Sequence, residues 1–416
     1  MSILGILERF HATRNFLGLD TCVVASARYR NVEGRGLTRE VLFPALRQVV
    51  LAHPSLCVGL KDERAKNACF VRRDSVDLER VVRFSEAREL RIVLEDELAR
   101  GFDASDVLWR VTVLPDNTVV FADHHVIGDG LSTVAFHLEL LEALQNSGTD
   151  DASSIIKVPR TLELAPPIER LTSVRPSLWA VASQLFQGFA PKIGARRVAA
   201  SWTGNPTPQT PDNLLQPRVC LATISPNEVD ALRKICRIHG ATLTSAFYVL
   251  TVATLARLLE GTAYKYVPVG VAVSLRDLTQ PPIAKTEICD AVSQQTTVSA
   301  LDAEFSWKTA GSFAAKLKTQ RPSSRETIGM LGLLGKDYTA FVRKHMAKEG
   351  SSWSMEKVVF AQSDVVLGAA FKMNVVGDTD GGVNFAFTWG RPSVEEGFVD
   401  EQFVPAFMEA LRALLE

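Results

Sequence analysis

The sequence predicts a mixed α/β protein built as two lobes. Three observations carry that expectation: a length of 416 residues, strand-period and helix-period patterns in both halves, and a change of character between them. A chain this long exceeds the usual single core, so two units are the natural prior. The expected boundaries are 1–150 for the first lobe, 151–217 for a connection and 218–416 for the second lobe.

The elements follow in order. Residues 39–52 read as an amphipathic helix with an early Pro44, stopped by His53-Pro54. Leu108–Leu114 and Thr118–Asp123 read as strands around a turn at Pro115-Asp116-Asn117. A helix is expected from about Ser132 to Gln145, apolar at Val134, Leu138, Leu141 and Leu144. Ser, Thr and Pro then become frequent, with Pro159, Pro166, Pro167, Pro176, Pro206, Pro208, Pro211 and Pro217, which reads as a long interlobe connection. Within it, Ser177–Ala190 is apolar and uncharged. It reads as a helix packed on a lobe. Membrane-surface contact through 177–190 is the competing reading, and the lack of Lys or Arg on the polar face counts against it.

The second half opens with a strand, Arg218–Ile224. Ser225-Pro226-Asn227-Glu228 then carries a helix start: a Ser cap, Pro at the first position and Glu at the third. Thr244–Leu259 is a largely apolar helix and Tyr266–Ser274 a buried strand. Residues 372–377 and 383–389 form a hairpin around Asp378–Gly382, and Phe403–Leu415 is a terminal helix. Mixed elements in each half imply two α/β lobes, each a sheet with flanking helices.

Bulk properties narrow the function. With 46 basic and 47 acidic residues, a net charge of −1 steers the chain toward neither nucleic acid nor an anionic membrane. Arg72-Arg73 and Arg196-Arg197 read as solvated surface. The cysteines Cys22, Cys57, Cys69, Cys220, Cys236 and Cys289 form no Cys-x-x-Cys pair, which argues against zinc and against a disulfide scaffold. A reducing, cytoplasmic location is expected. Met1–Arg9 has no basic leader and its apolar run ends at Glu8, so no secretory signal is expected. No apolar stretch is long enough to span a bilayer.

The chemistry concentrates in His124-His125-Val126-Ile127-Gly128-Asp129-Gly130. The two histidines end a strand, before a glycine turn that opens a helix, which is where α/β folds place reactive groups. Adjacent strand residues point to opposite faces, so one imidazole can face a site while the other packs inward. Periodicity does not say which. The same alternation prevents both from aiming at one ion, and no metal is expected. Taken singly, His125 could be a core histidine, Asp129 a helix cap, and Gly128 and Gly130 turn residues with positive φ. These readings do not explain why the four positions occur together. Among the other possibilities, the chain holds no Gly-x-Ser-x-Gly and no dinucleotide fingerprint. The Gly329–Gly335 run has no Lys-Ser/Thr after it and reads as a loop rather than a phosphate cradle.

His-His-x-x-x-Asp-Gly at a strand-to-helix turn resembles the active-site motif of the condensation-domain and CoA-dependent acyltransferase superfamily. Further residues resemble fungal alcohol O-acetyltransferase-type proteins: Leu7–Gly18 with the strand ending Ala27-Arg28-Tyr29, the helix leading to His53–Gly59, Trp109-Arg110, and Ser274-Leu275-Arg276. The resemblance implies two chloramphenicol-acetyltransferase-like lobes with an active-site tunnel between them. It implies His125 as general base and Asp129 as a structural residue paired across the lobes with Arg276, Arg14 being the alternative partner. It implies acyl-CoA as co-substrate, no permanently bound cofactor and a small-molecule acceptor; no nucleic-acid partner and a monomer are also expected. The chain departs from the pattern in two places. Phe387-Thr388-Trp389-Gly390 falls in a hairpin strand instead of the plant-type Asp-Phe-Gly-Trp-Gly. The fungal Ser-Asn-x-Gly appears only as Ser363-Asp364 with Gly368 further on.

Residue chemistry supports the implied reaction. Imidazole, with an ordinary pKa of roughly 6.5, can take a proton from an alcohol or amine as it attacks a thioester. The leading expectation is therefore acyl transfer, acetyl above all, to a small hydroxylated acceptor. The alternatives are condensation from a carrier-protein-bound donor, a degenerate binding protein, or a repurposed fold catalysing cyclisation or isomerisation. The intact His125 and Asp129 argue against degeneration.

Overall fold

The computed structural model describes residues 2–16, 20–63, 67–146, 153–161, 163–174, 200–205, 216–328, 353–362 and 369–416. The first half runs β1 (Ser2–Ile3), α1 (Ile6–Phe16), β2 (Val23–Asn31), α2 (Arg39–Ala52), β3 (Val58–Lys61), β4 (Cys69–Arg72), β5 (Ser75–Asp77), α3 (Leu78–Val81), β6 (Val82–Phe84), α4 (Leu90–Ala99), β7 (Trp109–Val113), β8 (Thr118–Asp123) and α5 (Gly130–Asn146). After β9 (Ile155–Lys157) and α6 (Ile168–Leu171), the second half holds β10 (Pro217–Ile224), α7 (Pro226–Ile238), α8 (Leu243–Leu258), β11 (Tyr266–Ser274), β12 (Val292–Ala300), α9 (Trp307–Gln320), β13 (Trp353–Gln362), β14 (Lys372–Gly377), β15 (Val383–Gly390) and α10 (Val404–Ala413). Both halves are mixed α/β, as the patterning predicts.

The largest sheet has the order β13-β2-β8-β7-β6. β8 lies at its centre and is buried along its whole length. Its alternation sends Val119 and Phe121 into the first core beneath α2 and α5, and Val120 and Ala122 toward α4. Each such fully buried Val or Phe contributes about 1.5–3 kcal/mol relative to an exposed one. The expected helix after β8 begins at Gly130 rather than Ser132, because Asp129 caps it. The second half packs β10-β15-β14 against α8 and α10 around Phe385, Phe387, Trp389, Phe403 and Phe407. Ser225 and Glu228 form the expected capping box of α7.

β13 belongs to the second half by chain order and to the first half's sheet by pairing, running antiparallel to β2 from Val23 to Asn31. The seam beside it is built by the hairpin turn. At a bulge where Lys357 has φ 44, the Val358 amide donates to Asp378 Oδ1 (3.1 Å), and its carbonyl accepts from Asn384 Nδ2 (2.7 Å). A further apolar cluster bridges the halves, with Val24, Val120 and Ala122 against Val219, Val359, Ala361 and Ala386.

In the described parts of 151–217, β9 pairs with β5 and the Trp202 amide donates to Tyr266 O (2.8 Å). The expectations for Ser177–Ala190, Gly329–Gly335, and Ser363, Asp364 and Gly368 fall outside the described residues. Phe387 and Trp389 lie buried in β15, the hairpin strand to which the sequence assigns them. Among the described residues, no single helix is long and apolar enough to cross a membrane.

Candidate active site at the lobe junction

The motif leaves the sheet at the end of β8. The His124 amide donates to Leu108 O (2.8 Å) and the Ile127 amide to His124 O (2.9 Å), which fixes the turn. The turn then separates the two histidines. His124 Nδ1 accepts from the Val126 amide at 3.0 Å and its ring packs near Phe102. Burial lowers its pKa to about 4, so it stays neutral inside the lobe. His125 keeps 8% of its surface accessible, and its Nδ1 has no hydrogen-bond partner. Burial lowers its pKa, against the opposing pull of Asp20, its own main chain and Asp129.

Asp129 fills both roles open to it in the sequence. Its Oδ1 caps α5 by accepting from the Leu131 and Ser132 amides, both at 3.0 Å. The same oxygen accepts from Arg276 Nη2 at 2.9 Å, and Oδ2 accepts from the Ala291 amide at 3.1 Å. Burial pushes this carboxyl up, but the Arg276 guanidinium, its hydrogen bond and the backbone amides outweigh it and hold the group below the usual range. Arg14, the alternative partner, lies instead 3.7 Å from Asp20.

Neither motif glycine has positive φ, which excludes the positive-φ turn reading open to them in the sequence: both are required by crowding. A Cβ on Gly128 would collide with the Asp123 carboxylate and sit 2.9 Å from Ser132 Cβ, and one on Gly130 would sit 2.7 Å from the Phe360 ring of β13.

Arg276 also donates to Ala284 O (3.0 Å), Glu287 O (2.6 Å) and Cys289 O (3.0 Å), so it clasps the strap 284–291. Ser132 Oγ fastens the same strap, donating to Cys289 O (2.9 Å) and accepting from its amide (3.2 Å).

Sequence reasoning missed three residues here. His11, on the buried face of α1 with Leu7 and Arg14, stacks on His125 with ring centroids 3.7 Å apart and planes 20° apart. Asp290, carried by the strap, lies 3.3 Å from His11 Nε2, and Asp20 lies 4.0 Å from His11 Nδ1. Burial raises Asp290 well above the carboxylate range, reinforced by Asp129 and Glu8. Only the spacing Leu7–His11–Arg14 on one helix face hinted at a buried histidine.

Donor atoms of His11, His125 and Asp290 lie within 4.8 Å of one another. Imidazole lone pairs lie in the ring plane, so two stacked rings cannot both aim at one ion. The arrangement suits a stack and not a metal centre.

The fold has solved counterparts. The trichothecene 15-O-acetyltransferase of Fusarium sporotrichioides superposes with a TM-score of 0.70 at 12% identity, covering 99% of this chain and 95% of that one. The first condensation domain of the calcium-dependent antibiotic synthetase superposes at 0.62 and 14% identity, covering 100% and 95%. The class is thus the two-lobed fold shared by condensation domains and acetyltransferases. Residues 91–275, which span the motif and reach Leu275, match the alcohol acetyltransferase family model. A probable alcohol acetyltransferase of Aspergillus fumigatus is 23% identical over 453 residues, covering 95% of this chain and 96% of its own. Over residues 91–275 the chain is similar to alcohol acetyltransferases, and it shares its fold with an acetyltransferase and with condensation domains.

Proposed function

We propose that the protein moves an acyl group, acetyl above all, from acyl-CoA to the hydroxyl of a small molecule, with His125 as general base. One observation carries the reading: His125 is the more accessible of the two motif imidazoles and its Nδ1 has no hydrogen-bond partner, while His124 Nδ1 is tied to the Val126 amide. A neutral imidazole held below its ordinary pKa can accept the acceptor's proton as the hydroxyl oxygen attacks the thioester carbon. The tetrahedral intermediate then collapses, the carbon–sulfur bond breaks, and the imidazolium returns the proton to the thiolate. The Asp129–Arg276 pair holds the two lobes in register around this step.

Direct transfer fits the neighbouring groups. The Cys289 thiol is pushed up to about 12 by burial, and Ser132 Oγ is engaged by Asp129, Arg276 and the strap. Neither is an activated nucleophile.

The experiment incubates the protein with acetyl-CoA and a panel of primary and secondary alcohols, reading thiol release and ester mass, with a carrier-protein thioester as a second donor arm. Ester formation from acetyl-CoA, lost in His125→Ala and kept in His124→Ala, is expected. Transfer only from the carrier, or an active His125→Ala beside a dead His124→Ala, would overturn the reading.

A further inference from the structure

A base needs a group that fixes its ring, and in most catalytic histidines a hydrogen bond to the second nitrogen does so. His125 Nδ1 has no such partner. What touches the ring instead is another imidazole. His11 lies face to face with it at 3.7 Å, and both residues are buried. We propose that His11 is a positioning residue, its ring the floor that sets the plane of the His125 imidazole; this rests on the reading of His125 as base.

Two carboxyls flank the floor. Asp290 stands 3.3 Å from His11 Nε2 on one side and Asp20 4.0 Å from Nδ1 on the other. Asp290 rides on the strap that Arg276 clasps through three carbonyls, and its neighbour Ala291 donates to Asp129. The interlobe ion pair therefore reaches the base by a chain of contacts: Asp129 and Arg276 to the strap, the strap to Asp290, Asp290 to His11, and His11 to His125. α1 from one lobe and the strap from the other close on the same ring.

The charges are consistent with this role. Two stacked imidazoles cannot both hold an extra proton at 3.7 Å. His11 is kept well below its ordinary pKa by burial first, then by His125, Arg14, His124 and Lys372. A neutral His11 leaves the incoming proton to His125 and presents an aromatic face to the imidazolium that forms. The groups facing the pair are Arg14 from α1, Asp20 ahead of β2, His124 and Asp129 from the motif, Asp290 from the strap and Lys372 from β14.

The test compares His11→Ala, which removes the floor, with His11→Phe, which keeps a flat ring without nitrogens. Two readouts are taken: kcat with its pH profile, and the titration of the His125 ring by NMR, assigned through its loss in His125→Gln. In His11→Ala, kcat falls by about 10²-fold, the cost of a base misplaced by an ångström. Water enters beside His125, so its titration midpoint and the acid limb of kcat/KM move up. His11→Phe restores most of kcat and leaves the midpoint in place. A His11→Phe as damaged as His11→Ala, or a midpoint unmoved in both, overturns the proposal. Should His11→Ala give no soluble protein, His11→Leu supplies bulk without a flat face and the contrast with His11→Phe in kcat decides. If the unaltered protein transfers no acyl group, the NMR arm still reads the stack: a midpoint that moves in His11→Ala and not in His11→Phe keeps the floor while the reading as an acyltransferase base falls. Full activity with no shift removes the floor and leaves acyl transfer standing.

Discussion

Truncating Asp129 to alanine strips one carboxylate from a buried pair and leaves the Arg276 guanidinium, 3% exposed, without its counter-charge. Breaking a buried pair from one side costs about 3–5 kcal/mol. The contacts that remain set the place within that range. Arg276 keeps the carbonyls of Ala284, Glu287 and Cys289 and the Ser132 hydroxyl, four neutral acceptors that soften the loss toward 3 kcal/mol. The α5 amides of Leu131 and Ser132 lose their cap as well, a further cost of about 1 kcal/mol. An unfolding entropy of roughly 2 cal/mol/K per residue over 416 residues turns the total of about 4 kcal/mol into a Tm lower by about 5 °C. Scanning calorimetry reads the shift, and Asp129→Ala/Arg276→Met is the control. Removing both charges leaves nothing uncompensated, so the double variant recovers about 0.5–3 kcal/mol relative to Asp129→Ala alone. A double variant less stable than Asp129→Ala by the full cost of the second substitution would refute the argument from stranded charge. The acid sign follows from the same pair. Asp129 sits below its ordinary 3.8, so its stabilisation is present above that value and is lost as pH falls through the lower native pKa.

Four further outcomes are expected. The acid limb of kcat/KM lies below pH 6.5, because burial lowers His125 and the base fails only as pH falls through its native pKa; a limb at or above 6.5 contradicts this. Intact-mass spectra of the protein with acyl-CoA alone show no acyl adduct, whereas an adduct discharged by acceptor would establish an acyl-enzyme. Burial, partly offset by the Gly5 amide and reinforced by Glu169, raises Glu8 from 4.5 to about 7. The native state then holds a proton that the unfolded chain has released, so stability falls between pH 4.5 and about 7 by at most roughly 3 kcal/mol; urea titrations of Glu8→Gln lack that slope. Chelators leave turnover unchanged, and inactivation reversed by zinc would make ligands of His11, His125 and Asp290.

Local rules made most elements legible. The capping box at Ser225, the hairpin about Asp378–Gly382 and the strand Tyr266–Ser274 are written in contiguous residues, and the structure carries them where the sequence does. Asp129 and Arg276 were readable through the motif and the Ser-Leu-Arg triplet. His11 and Asp290 were not, because what brings them to His125 is tertiary: α1 and the strap meet only when both lobes close, and no periodicity links positions so far apart. The motif glycines show another limit. Glycine at a turn suggests positive φ, and here the demand is for space against Asp123, Ser132 and Phe360. Trp109 and Arg110, quoted for their resemblance, serve packing: Trp109 donates to Leu56 O (2.8 Å), and Arg110 is bound to Glu97 and to the carbonyls of Arg100 and Gly101.

The position of β13 in the chain has a consequence for biosynthesis. The sheet that carries the motif lacks its edge strand until residues 353–362 have been translated. Until then β2 presents a row of open amides and carbonyls, a template for pairing with another nascent chain. The first half therefore emerges from the ribosome as an unfinished sheet, and a product truncated after the connection is stranded in that state. Expressing the halves as separate pieces would yield aggregates from the first piece alone, rescued when a fragment bearing 353–362 is supplied during synthesis.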